Sequence, residues 1–339
     1  MPPSSGKKLG KQTWRFDQPP VILSTSSIVG GMEGNGPFGK SFDYVLEDSH
    51  FGERSWEQAE SKMLREAVKL ALGKASLASK DIDMMLAGDL LNQIVAANLA
   101  AREIGVPFLG LYGACSTMAE SLSLSAMLVD GGFAQRVVAA TSSHHDTAER
   151  QYRFPTEMGV QRPPWAQWTV TGAGAFVVVK EGAGPVITHA TLGKVIDLGT
   201  TDSNNMGASM APAATDTLIN HFRDTGRSPA DYDLILTGDL GQVGKSIARE
   251  MLQKEGCDPG ESFEDCGVLI YKDEQDAHAG GSGCACSAVM LAGPVLERMA
   301  QGNYQRILLV GTGALLSTLT VQQGESIPTI AHLVVIERR

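Results

Sequence analysis

Apolar and polar residues follow two patterns along the chain, and the same order of patterns occurs twice. Short unbroken apolar runs, such as residues 137–140 and 307–310, predict buried strands, because strands covered on both faces carry no polar side. Segments with apolar residues every three or four positions predict helices. One such helix follows Ser55, a candidate N-cap with Gln58 at the capping-box position, and its counterpart in the second half is predicted over residues 212–225.

The repetition extends to the sequence itself. Residues 81–91 and 231–241 are identical at six of eleven positions, and Cys115 and Cys286 each begin a helical pattern that leads into an apolar strand. Glycine and proline residues at 182–185 separate the two copies, so halves of residues 1–182 and 183–339 are predicted. Strands alternating with helices predict an α/β protein with mostly parallel sheets, whose two duplicated halves pack as an α/β/α/β/α layered body.

Composition and charge narrow the class of protein. The 339 residues are 43% hydrophobic and 19% charged, which excludes a disordered chain or a coiled-coil rod. The 28 Lys and Arg against 38 Asp and Glu give a net charge of −10, so no nucleic-acid partner is expected. The sequence contains no run of about 18 apolar residues, so no transmembrane helix is predicted. The five cysteines, an odd number, predict a reducing compartment without disulfides.

The cysteines are the first candidates for chemistry. Cys115 begins a helical pattern, where backbone N–H groups and the helix dipole stabilise a thiolate nucleophile. The alternative is that a small apolar thiol packs well at a crowded turn. Cys284 and Cys286 have one residue between them rather than the two of common zinc motifs, so packing is favoured over a metal and no metal or cofactor is predicted.

The duplication and the turn around Cys115 resemble the thiolase superfamily, in which the reactive cysteine lies on such a turn in the first half. Condensing enzymes of that superfamily also use a histidine, with an asparagine or a second histidine, from the second half. Neither residues 233–239 nor the glycine-rich loop 279–286 contains one. Loss of one oxyanion donor alone costs roughly 3 kcal/mol of transition-state stabilisation, so we expect a binding protein that is not an enzyme.

A closer resemblance extends from end to end. Residues 86–93, 113–117, 128–134, 139–144, 147–151, 279–287 and 327–332 resemble the stage V sporulation protein AD family of spore-forming Firmicutes. The resemblance implies a receptor for dipicolinic acid, which binds the free acid or its calcium chelate. This ligand is taken up into the forespore and released in germination. It also implies other stage V sporulation A proteins as partners, some of them membrane-embedded, and a place at the cytosolic face of the inner membrane of the spore.

Several residues are candidates for binding this flat dianion in the cleft between the halves. Ser282 and Gly283 lie in a glycine-rich loop whose N–H groups suit an anion, and Arg150 and Arg153 are three residues apart. The full predicted set is Cys115, Ser116, Asp89, Asn92, His144, Arg150, Arg153, Ser282, Gly283 and Cys284. Both Asp89 and Arg150 also have a structural alternative. Asp89 could cap the next helix, and Arg150 could form a solvated ion pair with Glu149.

Two other functions stay open at this level. Cys115 could serve an acyltransferase or condensing enzyme in which His144, His278 or His332 replaces the missing partners. A scaffold that uses only its surface is the third class. By analogy with the thiolase superfamily, a homodimer through the sheet edge of the first half is expected.

Overall fold

The structure is a computed structural model that describes residues 6–152 and 162–339. Ten strands form the frame of this part of the chain, five from each half. Those of the first half are β1 (Val21–Val29), β2 (Met84–Gly88), β3 (Phe108–Gly110), β4 (Arg136–Ser143) and β5 (Gly172–Val179). Those of the second half are β6 (Val186–Thr191), β7 (Leu234–Thr237), β8 (Phe263–Asp265), β9 (Arg306–Ala314) and β10 (Thr329–Glu337).

Each half pairs its strands in the same spatial order, which is third, second, fourth, fifth, first. The second strand is parallel to the third and fourth, whereas the fifth is antiparallel to the fourth and first. The two sets meet where β1 and β6 pair at Val21 and Val186. The predicted duplication is therefore visible in the topology, and the predicted boundary after residue 182 lies between β5 and β6 and stays a prediction.

The prediction of mostly parallel sheets is wrong, because each half combines two parallel with two antiparallel pairings. Continuous apolar runs report that both faces of a strand are buried, and they carry no information on its direction. Both faces are in fact covered here, since β4, β5, β9 and β10 are buried almost throughout.

Ten helices accompany these strands in the described residues. They are α1 (Trp56–Lys74), α2 (Val95–Ile104), α3 (Thr117–Asp130), α4 (His145–Tyr152), α5 (Met206–Thr225), α6 (Gly241–Lys254), α7 (Cys266–Ile270), α8 (Cys284–Met290), α9 (Leu296–Ala300) and α10 (Thr318–Gln322). Shorter pieces are the helix Gly31–Gly34 and the strands Thr13–Arg15, Tyr44–Val45, Trp168–Thr169 and Gly281–Ser282.

Alternate residues of the strands face different helical layers. In β2, Leu86 packs into a central cluster with Met118 of α3 and Ala285 of α8, whereas Met85 packs outward against α1 and α2. The second half does the same, because Leu309 faces the centre and Leu308 faces α5 and α6. Three helical layers thus alternate with the two five-stranded sets, which is the predicted α/β/α/β/α body.

Local sequence signals explain where two long helices begin. The side chain of Ser55 caps α1 by accepting the N–H of Gln58 at 3.3 Å, as predicted. The counterpart helix was predicted from residue 212, but α5 already begins at Met206 and contains Pro212. Asn205 supplies the cap by accepting the N–H of Ala208, so the proline lies within the helix instead of starting it.

Candidate functional site

A cavity of about 340 Å³ lies where the two halves meet, at the carboxyl ends of β2 and β9. Its first-half wall is the loop that follows β2, from Asp89 to Ile94, together with Tyr112 and Cys115. Its second-half wall includes Ser282 and residues 314–317. Ligand sites of small molecules commonly measure roughly 300–1,000 Å³, so this cavity suits a ligand with a single ring.

Backbone strain is concentrated in the cavity wall. Gln93, Ile94 and Ala114 adopt left-handed conformations with φ of 58°, 47° and 49°, and all three line the cavity. This conformation is especially unfavourable for a β-branched residue such as Ile94, and each case costs roughly 1–3 kcal/mol. Strain of this kind persists only where neighbouring structure holds it, and it is frequent at ligand-binding sites.

Cys115 lines the cavity but is not poised as a thiolate. The side chain is 6% exposed and lies beside the carboxyl group of Asp239, to which the thiol hydrogen bonds. Burial raises the pKa of Cys115 well above its ordinary value, and the negative charge of Asp239 raises it further, against a lowering contact from the Gly283 backbone. Burial and the neighbouring acid thus oppose the thiolate that the helix terminus would stabilise, which favours the packing alternative for this cysteine.

Asp239 is a site residue that the sequence analysis missed. Its Oδ1 accepts the hydroxyl of Thr312 at 2.6 Å and its Oδ2 accepts the N–H of Gly283 at 2.9 Å. Burial raises the pKa of Asp239 to about 6, against these hydrogen bonds. The signal was available, because the internal repeat aligns Asp239 with Asp89 and places it on the second-half side of the cleft.

Two N–H groups of the glycine-rich loop, which was predicted as an anion site, donate to side chains of the protein. The Gly283 N–H donates to the Asp239 carboxylate at 2.9 Å, and the Ala285 N–H donates to the Ser143 hydroxyl at 3.1 Å. Ser282 nevertheless lines the cavity, as predicted for this loop. Gly283 has φ of 100°, a left-handed conformation that favours glycine.

Asp89 lines the cavity and also holds the loop that forms its wall. Its Oδ1 accepts the N–H of Leu91 and its Oδ2 accepts the N–H of Ala97 in the first turn of α2, both at 2.7 Å. The capping role considered for this residue is therefore present. Burial raises the pKa of Asp89, and the fully buried carboxyl of Glu60 lies close enough for the two groups to interact electrostatically.

His144 is buried and is not among the described residues that line the cavity. Its Nδ1 accepts the N–H of Asp146 at 3.2 Å, so the ring proton is on Nε2, which donates to the carbonyl of Ser49 at 2.7 Å. Burial lowers the pKa of His144, which keeps the ring neutral. These contacts tie the start of α4 to the loop before α1.

Of the two arginines in the predicted set, the structure describes Arg150, which does not line the cavity. Arg150 pairs with Glu57 and its guanidinium lies 5.5 Å from the ring centre of Trp56, on the side of α4 that faces α1. Its ion-pair partner is therefore Glu57, and not the Glu149 considered from sequence. Arg153 lies outside the described residues. Among the described lining residues there is no lysine, arginine or histidine.

The remaining predicted residues divide between wall and support. Asn92 lines the cavity, and its N–H donates to Oε1 of Gln151 at 3.0 Å. Ser116 is buried, and its hydroxyl donates to the carbonyl of Gly113 at 2.6 Å, which closes the cysteine turn. The thiol of Cys284 donates to the carbonyl of Ala114 at 3.0 Å, so it supports the cavity wall from behind.

Within residues 6–152 and 162–339, no group of three or more His, Cys, Asp or Glu side chains is arranged to hold a metal ion. In the same residues, no helix combines the length and apolar character needed to cross a membrane.

The architecture is shared with solved condensing enzymes. The 3-oxoacyl-[acyl-carrier-protein] synthase III of Aquifex aeolicus VF5 is similar over 94% of this chain and 99% of its own, with a TM-score of 0.56 and 15% identity. The corresponding synthase of Pseudomonas aeruginosa PAO1 gives a TM-score of 0.56 and 14% identity over 94% and 98% of the two chains. At such low identity the likeness establishes the fold, and the chain is a thiolase-fold protein.

The sequence comparisons identify the family within that fold. The model of the family Stage V sporulation protein AD matches residues 10–337, and the chain belongs to this family. Stage V sporulation protein AD of Bacillus subtilis (strain 168) is 51% identical over 332 residues, which cover 98% of each chain.

Proposed function

We propose that this protein is a non-enzymatic receptor whose cavity at the Cys115 turn binds dipicolinate, the dianion of pyridine-2,6-dicarboxylic acid. Membership in a sporulation protein family supports a role in the spore, where this ligand is loaded into the forespore and released at germination. The cavity volume of about 340 Å³ supports a small ligand.

The observation that carries the proposal is the pairing of Cys115 with Asp239. A condensing enzyme needs a thiolate and groups that stabilise an oxyanion. Here an acidic side chain faces the thiol and raises its pKa, which opposes formation of the nucleophile. The rival partners considered for an enzyme, His144, His278 and His332, are not among the described residues that line the cavity either.

Neutral polar residues and one aromatic ring line the cavity. Ser282, Thr169 and Asn92 offer hydroxyl and amide groups to the carboxylates. Tyr112 is the aromatic residue among the described lining residues, and its side chain is 61% exposed at the mouth of the cavity. We assign it the role of an aromatic face for the pyridine ring, an interaction worth about 0.5–1.5 kcal/mol beyond buried area.

Calorimetric titration of the purified protein with pyridine-2,6-dicarboxylate, with and without calcium, tests the proposal. Saturable binding is expected, weakened roughly two- to tenfold by Tyr112→Leu and retained by Tyr112→Phe. The matched comparison ligand is piperidine-2,6-dicarboxylate, which lacks the aromatic ring and is expected to lose nothing in the leucine variant.

An acyl-CoA titration is the rival arm of the experiment, because Cys115 does line the cavity. Binding of acyl-CoA with acylation of Cys115, and no heat from the dicarboxylate, would replace the receptor by an acyltransferase. No heat from either ligand would leave a scaffold.

The proposal includes an assembly. We place the protein at the cytosolic face of the inner membrane of the spore, held there by other stage V sporulation A proteins, some of them membrane-embedded. A homodimer through β3 belongs to the same proposal, supported by the 54% exposure of Leu109 on this edge strand. Sedimentation of the isolated chain tests it, with a dimer expected and its loss expected in Leu109→Lys.

A further inference from the structure

We infer that the cavity takes up one proton together with each dicarboxylate that it binds, and that the proton is held by the carboxyl group of Asp89. This inference rests on the proposed function, because it requires a dianionic ligand. It adds a thermodynamic coupling between ligand and pH that would make release of the ligand sensitive to the acidity of its surroundings.

Two acidic side chains lie in and next to the wall of the cavity. Asp89 lies in the cavity wall with 3% of its surface exposed, and Glu60 of α1 is fully buried nearby. The two oxygens of Glu60 accept the hydroxyls of Ser142 at 3.2 Å and Thr147 at 2.8 Å. Both carboxyls are therefore fixed in position by their hydrogen bonds and cannot swing away from a charged ligand.

Other groups around the pair do not offset its charge. The thiol of Cys284 at the start of α8 faces both carboxyls and remains protonated, because burial and these acids raise its pKa. From α4 the hydroxyl of Thr147 donates to Glu60, and from α2 the backbone N–H of Ala97 donates to Asp89.

Electrostatics then dictates the direction of the coupling. Two carboxyl groups that share a buried site cannot both remain ionised at low cost, and burial together with the charge of Asp89 raises the pKa of Glu60 well above its ordinary value. The two negative charges of the ligand make an ionised Asp89 beside Glu60 more costly still. Burial already raises the pKa of Asp89 to about 7 in the empty protein. A dianion beside it raises this pKa again, so a protein that is ionised at Asp89 above pH 7 binds a proton when the ligand enters.

The sign of the pH dependence follows. Above about pH 7 the empty site must gain a proton to bind, so affinity falls as pH rises, by up to tenfold per pH unit when one full proton is taken up. Below that pH Asp89 is already protonated and the dependence flattens. The ligand does not cause this change, because ordinary carboxyl groups are fully ionised throughout this range.

The test is calorimetric titration of the full chain with pyridine-2,6-dicarboxylate at pH 8 in buffers of different ionisation enthalpy. The slope of observed enthalpy against buffer ionisation enthalpy counts the protons taken up, and a value near one is expected. Infrared difference spectra of aspartate-labelled protein should show a new protonated aspartic acid band when ligand is added.

Asp89→Asn is the decisive variant and should bind with a slope near zero and no loss of affinity from pH 7 to 9. Asparagine keeps one of the two acceptors of the wall loop, and the infrared measurement on the unaltered protein carries the test if this variant fails to fold. Glu33→Gln is the matched control, because Glu33 is also a buried acid with a raised pKa but does not line the cavity. It should keep the slope of the unaltered protein.

Saturable binding with a slope of zero, or a folded Asp89→Asn variant that keeps the slope, would overturn this inference and leave the receptor in place. Complete absence of binding would overturn the proposed function and this inference with it. Glu60→Gln locates the proton, because both partners of Glu60 are hydroxyls that can also accept from an amide. Retained uptake in this variant supports Asp89, and lost uptake contradicts it.

Discussion

Replacing Asp239 by asparagine should turn Cys115 into a more reactive thiol. The carboxyl of Asp239 hydrogen bonds to the thiol and, with a pKa raised to about 6, carries a negative charge at pH 8. Asparagine keeps the local geometry, since its amide oxygen can still accept the Gly283 N–H and its amide nitrogen can donate to the Thr312 hydroxyl. The substitution therefore removes charge while it preserves shape.

The size of the effect follows from Coulomb's law. One unit charge at about 4 Å in an effective dielectric of about 20 contributes about 4 kcal/mol, which corresponds to about three pKa units. The thiolate fraction at pH 8 would rise by the same three orders of magnitude. A thiolate of lower pKa is also a weaker nucleophile, with a Brønsted slope of about 0.4–0.5, so the net gain in alkylation rate is roughly thirtyfold.

Alkylation of Cys115 by iodoacetamide at pH 8, followed by peptide mass spectrometry, measures this rate. Cys257 is the internal control, because it is a partly exposed thiol of the same molecule and should react equally in both proteins. An unchanged Cys115 rate in a variant with an unaltered melting curve would refute the argument that Asp239 holds the thiol protonated. Burial alone would then account for the raised pKa of Cys115.

Three further outcomes follow from the structure. Gly283→Ala should lower the free energy of unfolding by about 1–3 kcal/mol in urea denaturation, because φ is 100° and a Cβ would lie 2.8 Å from Oγ of Ser143; an unchanged midpoint would contradict this. Ser55→Ala should cost about 1 kcal/mol in the same assay through loss of the α1 cap, with Ser79→Ala, outside any side-chain cap, as its control. Burial lowers the pKa of His332 to about 4, so the unfolded chain binds a proton there as pH falls below 6.5 while the folded chain does not. The free energy of unfolding should therefore fall by up to roughly 3 kcal/mol through this histidine as the pH is lowered from 6.5 to 4. The His332→Gln variant should lose less stability than the parent over the same range.

Part of the site could be predicted because the chain is duplicated. The repeat placed Cys115 and the loop around Ser282 on opposite sides of one cleft, and both line the cavity. The same repeat aligns Asp89 with Asp239, but the pattern of the condensing enzymes has a histidine in the second half and does not indicate a role for this aspartate. The positive charge of Arg150 made it a candidate for binding an anion. Its side chain instead pairs with Glu57, and this orientation depends on how α4 packs on α1, which no local sequence pattern reveals.

The sequence by itself determined the elements, their order and the family. Apolar runs, helical spacing and caps are local properties, since each strand or helix must bury its apolar side whatever its neighbours are. The tertiary structure alone decided three things. These are the direction of the strands, the start of α5 ahead of Pro212, and the protonation of the Cys115 thiol. The Cys115 pKa depends on burial and on a carboxyl group 124 positions along the chain at Asp239, and only folding brings such distant charges into contact.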